Sequence, residues 1–208
     1  MPYPAHLPFS QACENNQAPI TAILQEAFAA AHHVLEIGSG TGQHSVYMAP
    51  RLPLLIWQTS DLLENHAGIS AWHAAYPSPN LRLPLALDMR MPHWPVPTNA
   101  AEPAIDAVFT SNTLHIMAWP LVQQFFAMVG THLPVQGTLV VYGPFNYGGQ
   151  FTSDSNRTFN DWLRARDPHS AIRDFEAVNA LAEQHGLHLQ ADRAMPANNR
   201  TLVWRKTR

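Results

Sequence analysis

Residues 32–45 have the sequence HHVLEIGSGTGQHS, in which a short apolar run leads into three glycines spaced two apart. The run at 33–37 contains β-branched side chains and predicts a buried strand. Glycines directly after a strand allow a tight turn and a close approach of the backbone to a ligand. Because a helix is predicted at 42–49, the order strand, glycine turn, helix indicates an α/β fold with a ligand crevice at its strand ends.

Short strands and longer helices alternate along the rest of the chain. Such spacing predicts βαβ units, a mostly parallel sheet and right-handed crossovers. The last two predicted strands are joined only by the short segment MPANNR, so we expect them to be antiparallel neighbours. The predicted helices are 16–31, 42–49, 63–75, 119–133, 162–166 and 175–185. The predicted strands are 33–37, 54–58, 83–87, 105–111, 138–142, 187–194 and 201–205.

Composition limits the possible classes of protein. The chain has 208 residues, a hydrophobic fraction of 46% and a formal charge of −3. This length suits one well-buried core, so a single domain over 1–208 is predicted, with an N-terminal segment and helix at 1–31 capping the site. Without clustered Lys and Arg, no nucleic-acid partner is expected. The single cysteine, Cys13, fits a reducing compartment and predicts a cytoplasmic location.

Membrane and metal sites are not expected either. No segment approaches the length of about eighteen apolar residues that indicates a membrane span. The twelve histidines lack HExxH or zinc-finger spacing, so no metal site is predicted. His44, at the start of a predicted helix, is interpreted as a partial cap or a solvated side chain. The sequence does not specify an oligomeric state.

The glycine turn itself is open to several interpretations: a phosphate cradle, the border of another nucleotide cofactor, or a tight corner. Gly38, Gly40 and Gly42 give GxGxG and not the dinucleotide pattern GxGxxG, and no GK[ST] ending of a Walker loop follows. Glu36 lies two residues before the first glycine. A carboxylate there would repel a pyrophosphate and attract a cationic amino-acid group.

The segment VLEIGSGTG resembles motif I of class I S-adenosylmethionine (SAM)-dependent methyltransferases. In that class an acid at the end of the second strand binds the ribose hydroxyls, and residues after the third strand hold the adenine. Asp61 and Asp88 have these positions, with Met89 near the adenine ring. The resemblance implies a three-layer Rossmann-like sheet and SAM as cofactor, with S-adenosylhomocysteine as product. The implied cofactor-binding residues are Glu36, Gly38, Ser39, Gly40, Gly42, Gln43, Asp61, Leu62, Asp88, Met89, Asn112 and Thr113.

Further segments extend the resemblance over nearly the whole chain. ENNQAPI, WQTSD, LDM, SNTLHI, YGPFNYGG, TSDSN, IRDFEAV and MPANNR are similar to segments of the methyltransferase-like 26 family, a domain-of-unknown-function family of class I methyltransferase-like proteins. That family usually has a basic residue before the asparagine of its N-terminal segment, whereas Asn15 precedes Asn16 here. A role for a basic group at this position is therefore not transferred.

Residues after the fourth and fifth predicted strands are candidates for binding the methyl acceptor. Many small-molecule methyltransferases have a segment similar to SNTLHI beside the transferable methyl group. His115 is the candidate general base, because an unperturbed imidazole titrates near neutral pH. Asn112 and Tyr142 are the other candidate catalytic residues. The candidate substrate-binding residues are Asn16, Asn146, Tyr147 and Asn198.

Most of these residues also have a purely structural interpretation. Asp61 could cap the following helix, and Asp88 could be a turn residue. Asn112 and His115 could form a satisfied loop pair. Asn198 belongs to a residue type that is common in turns, because asparagine tolerates a positive φ.

The function predicted from the sequence is in-line methyl transfer from SAM to an unidentified, small-molecule acceptor. The alternative is a catalytically silent protein that binds SAM or S-adenosylhomocysteine as a sensor or partner, since the fold would be identical. A protein acceptor also stays open. A nicotinamide-dependent enzyme is a further hypothesis. The missing third glycine of the dinucleotide pattern argues against it.

Overall fold

The computed structural model describes residues 3–91, 93–96 and 99–208 of the chain. The helices are α1 (Gln11–Ala27), α2 (Gln43–Met48), α3 (His66–Ala75), α4 (Trp119–His132), α5 (Asp154–Arg166) and α6 (Phe175–Gln184). The strands are β1 (His33–Ile37), β2 (Ile56–Asp61), β3 (Leu81–Ala86), β4 (Ala107–Ser111), β5 (Thr138–Gly143), β6 (Phe145–Asn146), β7 (Arg173–Asp174), β8 (Leu187–Met195) and β9 (Asn199–Lys206). Short 3₁₀ helices cover Ala49–Arg51, Leu63–Asn65 and Pro196–Asn198.

The main sheet of the described residues has seven strands in the order β3-β2-β1-β4-β5-β9-β8. Strand β1 is parallel to β2 and β4, and β2 is parallel to β3. Strand β9 is antiparallel to both β5 and β8. The predicted fold class is therefore confirmed: an α/β protein with a mostly parallel sheet and antiparallel C-terminal strands. Strands β6 and β7 form a separate, parallel pair that the sequence pattern did not predict.

The chain divides into two compact units, Met1–Phe109 and Thr110–Arg208, and the division lies inside β4. The first unit contains α1 to β3 and most of β4, and the second contains the remaining elements. The single domain over 1–208 stays a prediction. Residues 1 and 2 of the predicted N-terminal segment at 1–31 lie outside the described residues.

Strand β1 forms the centre of the first unit. All five of its residues are buried, whereas the edge strand β3 is largely half-buried or exposed. A parallel strand that is covered on both faces buries the side chains of both faces, which explains why β1 shows no alternation of buried and exposed residues. The core side chains around it include Trp57, Trp72 and Phe109. Trp57 and Phe109 pack edge to face with ring centroids 5.9 Å apart.

Helix α1 begins earlier than the sequence pattern predicts. The Ser10 hydroxyl accepts a hydrogen bond from the backbone N–H of Cys13 (3.4 Å), and the helix then runs from Gln11 to Ala27. Pro19 consequently lies inside the helix and not in its first turn. The predicted start at residue 16 is wrong because Ser10 provides the N-terminal cap, which is a strong start signal in its own right.

Two other predicted boundaries need correction. Strand β2 extends through Asp61, so Thr59, Ser60 and Asp61 belong to the strand. Helix α5 begins at Asp154 and not close to residue 162, because the Ser153 hydroxyl caps it by accepting the backbone N–H of Asn156 (3.1 Å). The first two turns of this helix were not predicted, because the segment is rich in polar residues that face the solvent.

The second unit has its own apolar core. All residues of β5 are buried, and the strand pairs antiparallel with β9, so that Gly143 lies opposite Arg200. Helix α4 contributes Phe125 and Phe126, and β9 contributes Trp204, all of them fully buried. Phe126 and Trp204 pack edge to face at 6.0 Å. Pairing with β9 thus extends over the whole of β5, from Thr138 to Gly143, and sets the position of the residues that follow it.

Candidate functional site

The glycine turn in the first unit is anchored to the end of β2. The backbone N–H groups of Gly38 and Ser39 both donate to the carbonyl oxygen of Ser60, at 3.0 and 3.1 Å. The Ser39 hydroxyl in turn accepts the backbone N–H of Ser60 (3.2 Å). Gly38, Gly40 and Gly42 all have positive φ values of 74°, 58° and 89°. A backbone that turns in this way favours glycine at each of the three positions.

Gly40 and Gly42 differ in what surrounds them. A Cβ atom on Gly42 would lie 3.0 Å from the Cα of Ile69, so this glycine allows α2 to pack against α3. A Cβ atom on Gly40 would meet no atom within 4 Å. The space beside Gly40 is therefore open to a ligand, whereas Gly42 is required by packing.

The Asp61 carboxylate ties the glycine turn to the end of β2. Its Oδ2 accepts the backbone N–H of Gly40 at 2.6 Å. Its Oδ1 accepts the backbone N–H of Leu62 (2.7 Å) and the side-chain amide of Asn65 (2.8 Å). The 3₁₀ helix that follows begins without a side-chain cap, so Asp61 does not act as a plain helix N-cap. Each carboxylate oxygen can accept more than one hydrogen bond, which leaves Oδ2 able to take a hydroxyl donor.

Glu36 is a buried carboxylate in β1. Its side chain is 2% exposed, and its Oε2 accepts the indole N–H of Trp57 at 2.9 Å. Burial raises the pKa of Glu36 to about 7, and the nearby Asp61 charge adds to the rise. Hydrogen bonds from Trp57 and Ser39 act in the opposite direction by favouring the ionised form. An adjacent cation would offset the cost of burying this charge.

Helix α1 and its capping residue Ser10 contact the start of α2 through polar groups. The Oε1 atom of Gln43 accepts the backbone N–H of Ser10 (2.5 Å) and the Thr41 hydroxyl (3.1 Å). The Nε2 atom of Gln43 is buried and has no hydrogen-bond partner in the described part of the chain. One ring nitrogen of His44 bonds Oδ1 of Asn16 at 2.7 Å. The interpretation of His44 as a partial cap or solvated residue is therefore wrong, because this ring is buried against α1.

The residues after β3 have a different arrangement from the predicted one. The Asp88 carboxylate pairs with the exposed guanidinium of Arg90 at 2.6 Å and accepts the Arg90 backbone N–H at 2.8 Å. These bonds form a local turn, which favours the structural interpretation of Asp88. The hydrogen bonds from Arg90 hold the pKa of Asp88 below its usual value. Met89 is buried at the same turn.

In the second unit, the segment after β4 begins with a strained residue and is held in place by many hydrogen bonds. Asn112 has a φ of 57°, and its backbone N–H donates to the carbonyl oxygen of Tyr142 (2.9 Å). The Thr113 hydroxyl donates to the carbonyl of Ser111 (3.0 Å). Four consecutive carbonyls then accept donors from residues 170–173. Arg173 donates to Leu114 and Met117, the Ala171 N–H donates to His115, and the Ser170 hydroxyl donates to Ile116.

This segment presents the side chains of Asn112 and His115 without binding them to each other. Neither side chain forms a hydrogen bond within the described residues, so the loop-pair interpretation is wrong. Both lie next to Gly143, where an added Cβ would be 3.6 Å from Nδ1 of His115 and 3.9 Å from Oδ1 of Asn112. Burial and the positive charge of Arg173 lower the pKa of His115 to about 4. The imidazole is therefore uncharged at neutral pH.

The predicted substrate-binding residues are not equally placed to meet a ligand. Asn146 is 9% exposed, and its buried Oδ1 has no hydrogen-bond partner among the described residues. The Tyr147 hydroxyl donates to Asp192 at 2.7 Å, and its ring stacks on Phe175. Asn198 is exposed, and its φ of 57° suits the turn interpretation. Tyr142 is buried in β5.

The described residues contain neither a cluster of metal-ligating side chains nor a helix that could span a membrane. Within residues 3–91, 93–96 and 99–208, no group of three or more His, Cys, Asp or Glu side chains is arranged to hold a metal ion. The helices of the same described ranges are all too short or too polar to cross a bilayer.

Comparison with a family model then identifies the chain. Residues 7–206 match the model described as a protein of unknown function, DUF938. The chain belongs to the DUF938 family. This match covers both units and the whole of the main sheet.

The DUF938 chain is also similar in fold to methyltransferases of known structure. An O-methyltransferase family protein from Burkholderia thailandensis matches with a TM-score of 0.76 and 17% identity, over 94% of this chain and 57% of that protein. The mitomycin 7-O-methyltransferase MmcR matches with a TM-score of 0.77 and 16% identity, over 94% and 54%. PigF, whose structure contains SAH, matches with a TM-score of 0.76 and 14% identity, over 93% and 56%. The DUF938 chain thus has the methyltransferase fold but spans only a little over half the length of these proteins.

Three residues of the DUF938 chain have contacts that shape the site and that the sequence did not predict. Trp57 hydrogen-bonds Glu36, Arg173 holds the segment that carries His115, and Gly143 lies beside that segment. Gly143 directly follows the predicted strand 138–142, and the Gly143–Pro144 pair is typical of a turn, so no ligand contact was predicted there. No local pattern in the sequence distinguishes Trp57 or Arg173, because their partners are distant along the chain.

Proposed function

We propose that the chain is a SAM-dependent methyltransferase that acts on a small-molecule acceptor. The observation that carries this proposal is the buried Glu36 carboxylate beside an open glycine turn. A carboxylate of this kind favours a cationic ligand over a phosphate group. The fold shared with O-methyltransferases supports the same class of activity. SAM, when bound, supplies an electrophilic methyl group on a positively charged sulfur.

The first unit contains the residues that suit this cofactor. We assign Glu36 to the amino-acid end, and Asp61, through the free capacity of Oδ2, to the ribose hydroxyls. The unpaired Nε2 of Gln43 provides a further buried donor for the cofactor. Gly38, Ser39, Gly40, Gly42 and Leu62 would border it through their backbone. Met89 is retained at the adenine, whereas the Arg90 ion pair makes Asp88 a weaker candidate.

The second unit contains the residues proposed for the acceptor. His115 is uncharged and can accept a proton. Asn112 and Thr113, which the sequence resemblance implies at the cofactor, follow β4 as His115 does, and we assign them to the acceptor instead. Tyr142 lies on β5 and Asn146 just after it. Tyr147 and Asn198 remain candidates only for the outer part of such a site. One of the matched proteins, MmcR, is named as a methyltransferase for the small molecule mitomycin. This match supports a small-molecule acceptor here.

We further propose that residues 1–208 work as one methyltransferase domain in which the N-terminal segment and α1 cap the cofactor site. The Ser10–Gln43 and Asn16–His44 hydrogen bonds support this role. The similarity of many segments supports membership of the methyltransferase-like 26 family. We also propose a cytoplasmic location, which the single, unpaired Cys13 supports.

Calorimetry tests the cofactor. Purified protein should release heat on binding S-adenosylhomocysteine and give no heat with NAD. Binding of NAD without S-adenosylhomocysteine would instead assign the chain to nicotinamide-dependent enzymes. A screen of metabolite extracts with methyl-labelled SAM then tests the activity, because the acceptor becomes labelled.

A catalytically silent protein that binds SAM or S-adenosylhomocysteine is the second candidate. The low pKa of His115 favours it, because a weak base removes protons from few acceptors. Cofactor binding in calorimetry, together with no labelled product from any extract, would support this candidate over the enzyme.

A further inference from the structure

We propose that the second unit binds a phenolic hydroxyl group over Gly143, between the side chains of Asn112 and His115. The inference depends on the proposed function only in treating this phenol as the methyl acceptor. The binding site itself consists of residues of one unit and is argued from their geometry.

Gly143 has no structural reason to be a glycine. Its φ is not among the positive values of the described residues, so its backbone suits any side chain. An added Cβ would meet only Nδ1 of His115 at 3.6 Å and Oδ1 of Asn112 at 3.9 Å, which are ordinary contact distances. The missing side chain therefore lets a ligand approach the backbone at this position, and both side-chain atoms beside it are polar.

A hydroxyl group complements these two polar atoms. Neither Oδ1 of Asn112 nor Nδ1 of His115 forms a hydrogen bond within the described residues. The His115 residue is 5% exposed. Both atoms are therefore available to a ligand that reaches Gly143. A hydroxyl can donate its one proton to Oδ1 of Asn112 and accept from Nδ1 of His115 in the tautomer that carries hydrogen there. In the other tautomer it donates to Nδ1 instead. A carboxylate would face Oδ1 as a second acceptor and fits less well.

The charge near His115 selects an acidic hydroxyl. The Arg173 guanidinium disfavours a positive charge on the imidazole, and it disfavours a cationic ligand for the same reason. Burial makes His115 a weak base, so a more acidic hydroxyl loses its proton to this imidazole more readily than a less acidic one. A phenol, with a pKa of about 10, is far more acidic than a hydroxyl resembling water, at about 15.7.

Aromatic side chains extend from His115 towards the surface. Phe159 packs edge to face against the imidazole with centroids 5.3 Å apart. Trp162 stacks on Phe159 at 5.7 Å and is 51% exposed. Aromatic rings pair favourably with one another in such arrangements. These rings provide a wall for a planar aromatic ligand whose hydroxyl reaches Gly143.

A series of matched ligands tests the proposal on the unmodified protein by calorimetry. We expect 4-methylphenol to bind at least about tenfold more tightly than 4-methylanisole, which lacks the hydroxyl proton, a difference consistent with leaving buried polar atoms unpaired. The cation 4-methylbenzylammonium should bind more weakly than both. Equal affinity for the phenol and the anisole, preference for the cation, or no binding of the phenol would each overturn the proposal.

Gly143→Ala tests the location of the site. The variant should fold, because its Cβ has no close contact, and it should bind 4-methylphenol at least about tenfold more weakly. Ala194→Ser, which adds one atom to an exposed position of β8, is the matched control and should bind the phenol normally. A folded Gly143→Ala variant with unchanged affinity would place the phenol elsewhere and overturn the assignment.

S-adenosylhomocysteine binding separates this inference from the proposed function. Gly143→Ala should bind S-adenosylhomocysteine as the unmodified protein does, because the assigned cofactor residues belong to the first unit. Phenol binding without any S-adenosylhomocysteine binding would support the phenol site and contradict the methyltransferase function. S-adenosylhomocysteine binding without phenol binding would support the cofactor assignment and contradict this inference.

Discussion

The Glu36 carboxylate is buried in the centre of β1 and stays partly protonated at neutral pH. Its pKa in the folded chain is about 7, above the value of about 4.5 for an exposed glutamate. The folded state therefore holds a proton between these two pH values that the unfolded state has released. The stability that this proton contributes is present below pH 4.5 and is lost as the pH rises through 7.

Glu36→Gln should remove this loss. The amide cannot ionise, and its oxygen can still accept the indole N–H of Trp57. We expect the variant to gain stability relative to the unmodified protein as the pH rises from 5 to 8, by up to about 3 kcal/mol. Urea unfolding at several pH values measures the difference. Glu64→Gln, which changes an exposed glutamate, is the control and should show no such trend. A constant difference for Glu36→Gln would contradict the assigned shift.

Asp61→Ala should weaken S-adenosylhomocysteine binding about tenfold or more. The substitution removes both the acceptor proposed for the ribose hydroxyls and the bond that holds Gly40, and hydrogen bonds to a charged group are each worth about 1.5–3 kcal/mol. Titration calorimetry gives the dissociation constant. Asn65→Ala removes a donor to the same carboxylate but leaves the carboxylate in place, so its effect should be smaller. An unchanged affinity in Asp61→Ala would restrict Asp61 to a structural role.

At the scale of elements, the glycine turn joins β1, α2 and α3 with two different kinds of glycine. Gly42→Ala combines a left-handed φ with a contact of 3.0 Å to the Ile69 backbone, and should destabilise the fold by about 1–3 kcal/mol. Gly40→Ala has the strained φ but no contact, so it should lose less stability and should weaken S-adenosylhomocysteine binding. Thermal unfolding and calorimetry on both variants distinguish the effects. A reversed order of stabilities would contradict this division between packing and binding.

The elements that the sequence predicted are those whose causes are local. The apolar run of β1, the glycines after it and the acid at the end of β2 all follow from neighbouring residues. The starts of α1 and α5 were predicted wrongly, because each depends on a serine cap within a polar stretch of sequence. These caps are Ser10 and Ser153. The short strands β6 and β7 were not predicted, because a strand of two residues has no periodicity in its sequence.

The missed parts of the candidate site depend on contacts between residues far apart in the sequence. His115 was predicted from its position after β4, but its low pKa comes from burial and from Arg173, more than fifty residues later in the chain. The open space beside Gly143 is likewise defined by Asn112 and His115 on another segment. Such features follow from the contacts of residues 112–117 with Gly143 and with residues 170–173, which sequence periodicity does not contain.

At the scale of the whole molecule, buried histidines dominate the response to acid. Burial lowers the pKa values of His44, His73 and His115 to about 4, against 6.5 for an exposed imidazole. Between these pH values the unfolded chain binds three protons that the folded chain does not. Glu36 acts in the opposite direction with one proton, so the unfolded state holds a net excess of about two protons near pH 5.5.

The free energy of unfolding, summed over the chain, should therefore fall as the pH decreases from 6.5 to 4. Each excess proton contributes a slope of about 1.4 kcal/mol per pH unit, so two protons give roughly 2.7 kcal/mol per unit near pH 5.5. His44 and His73 belong to the first unit and His115 to the second, so the sum applies whether the units unfold together or in turn. Urea unfolding between pH 4.5 and 7 measures the slope. His73→Gln should reduce it by about one proton, whereas His188→Gln, at an exposed position, should leave it unchanged. Stability that is independent of pH across this range would contradict the burial of neutral histidines.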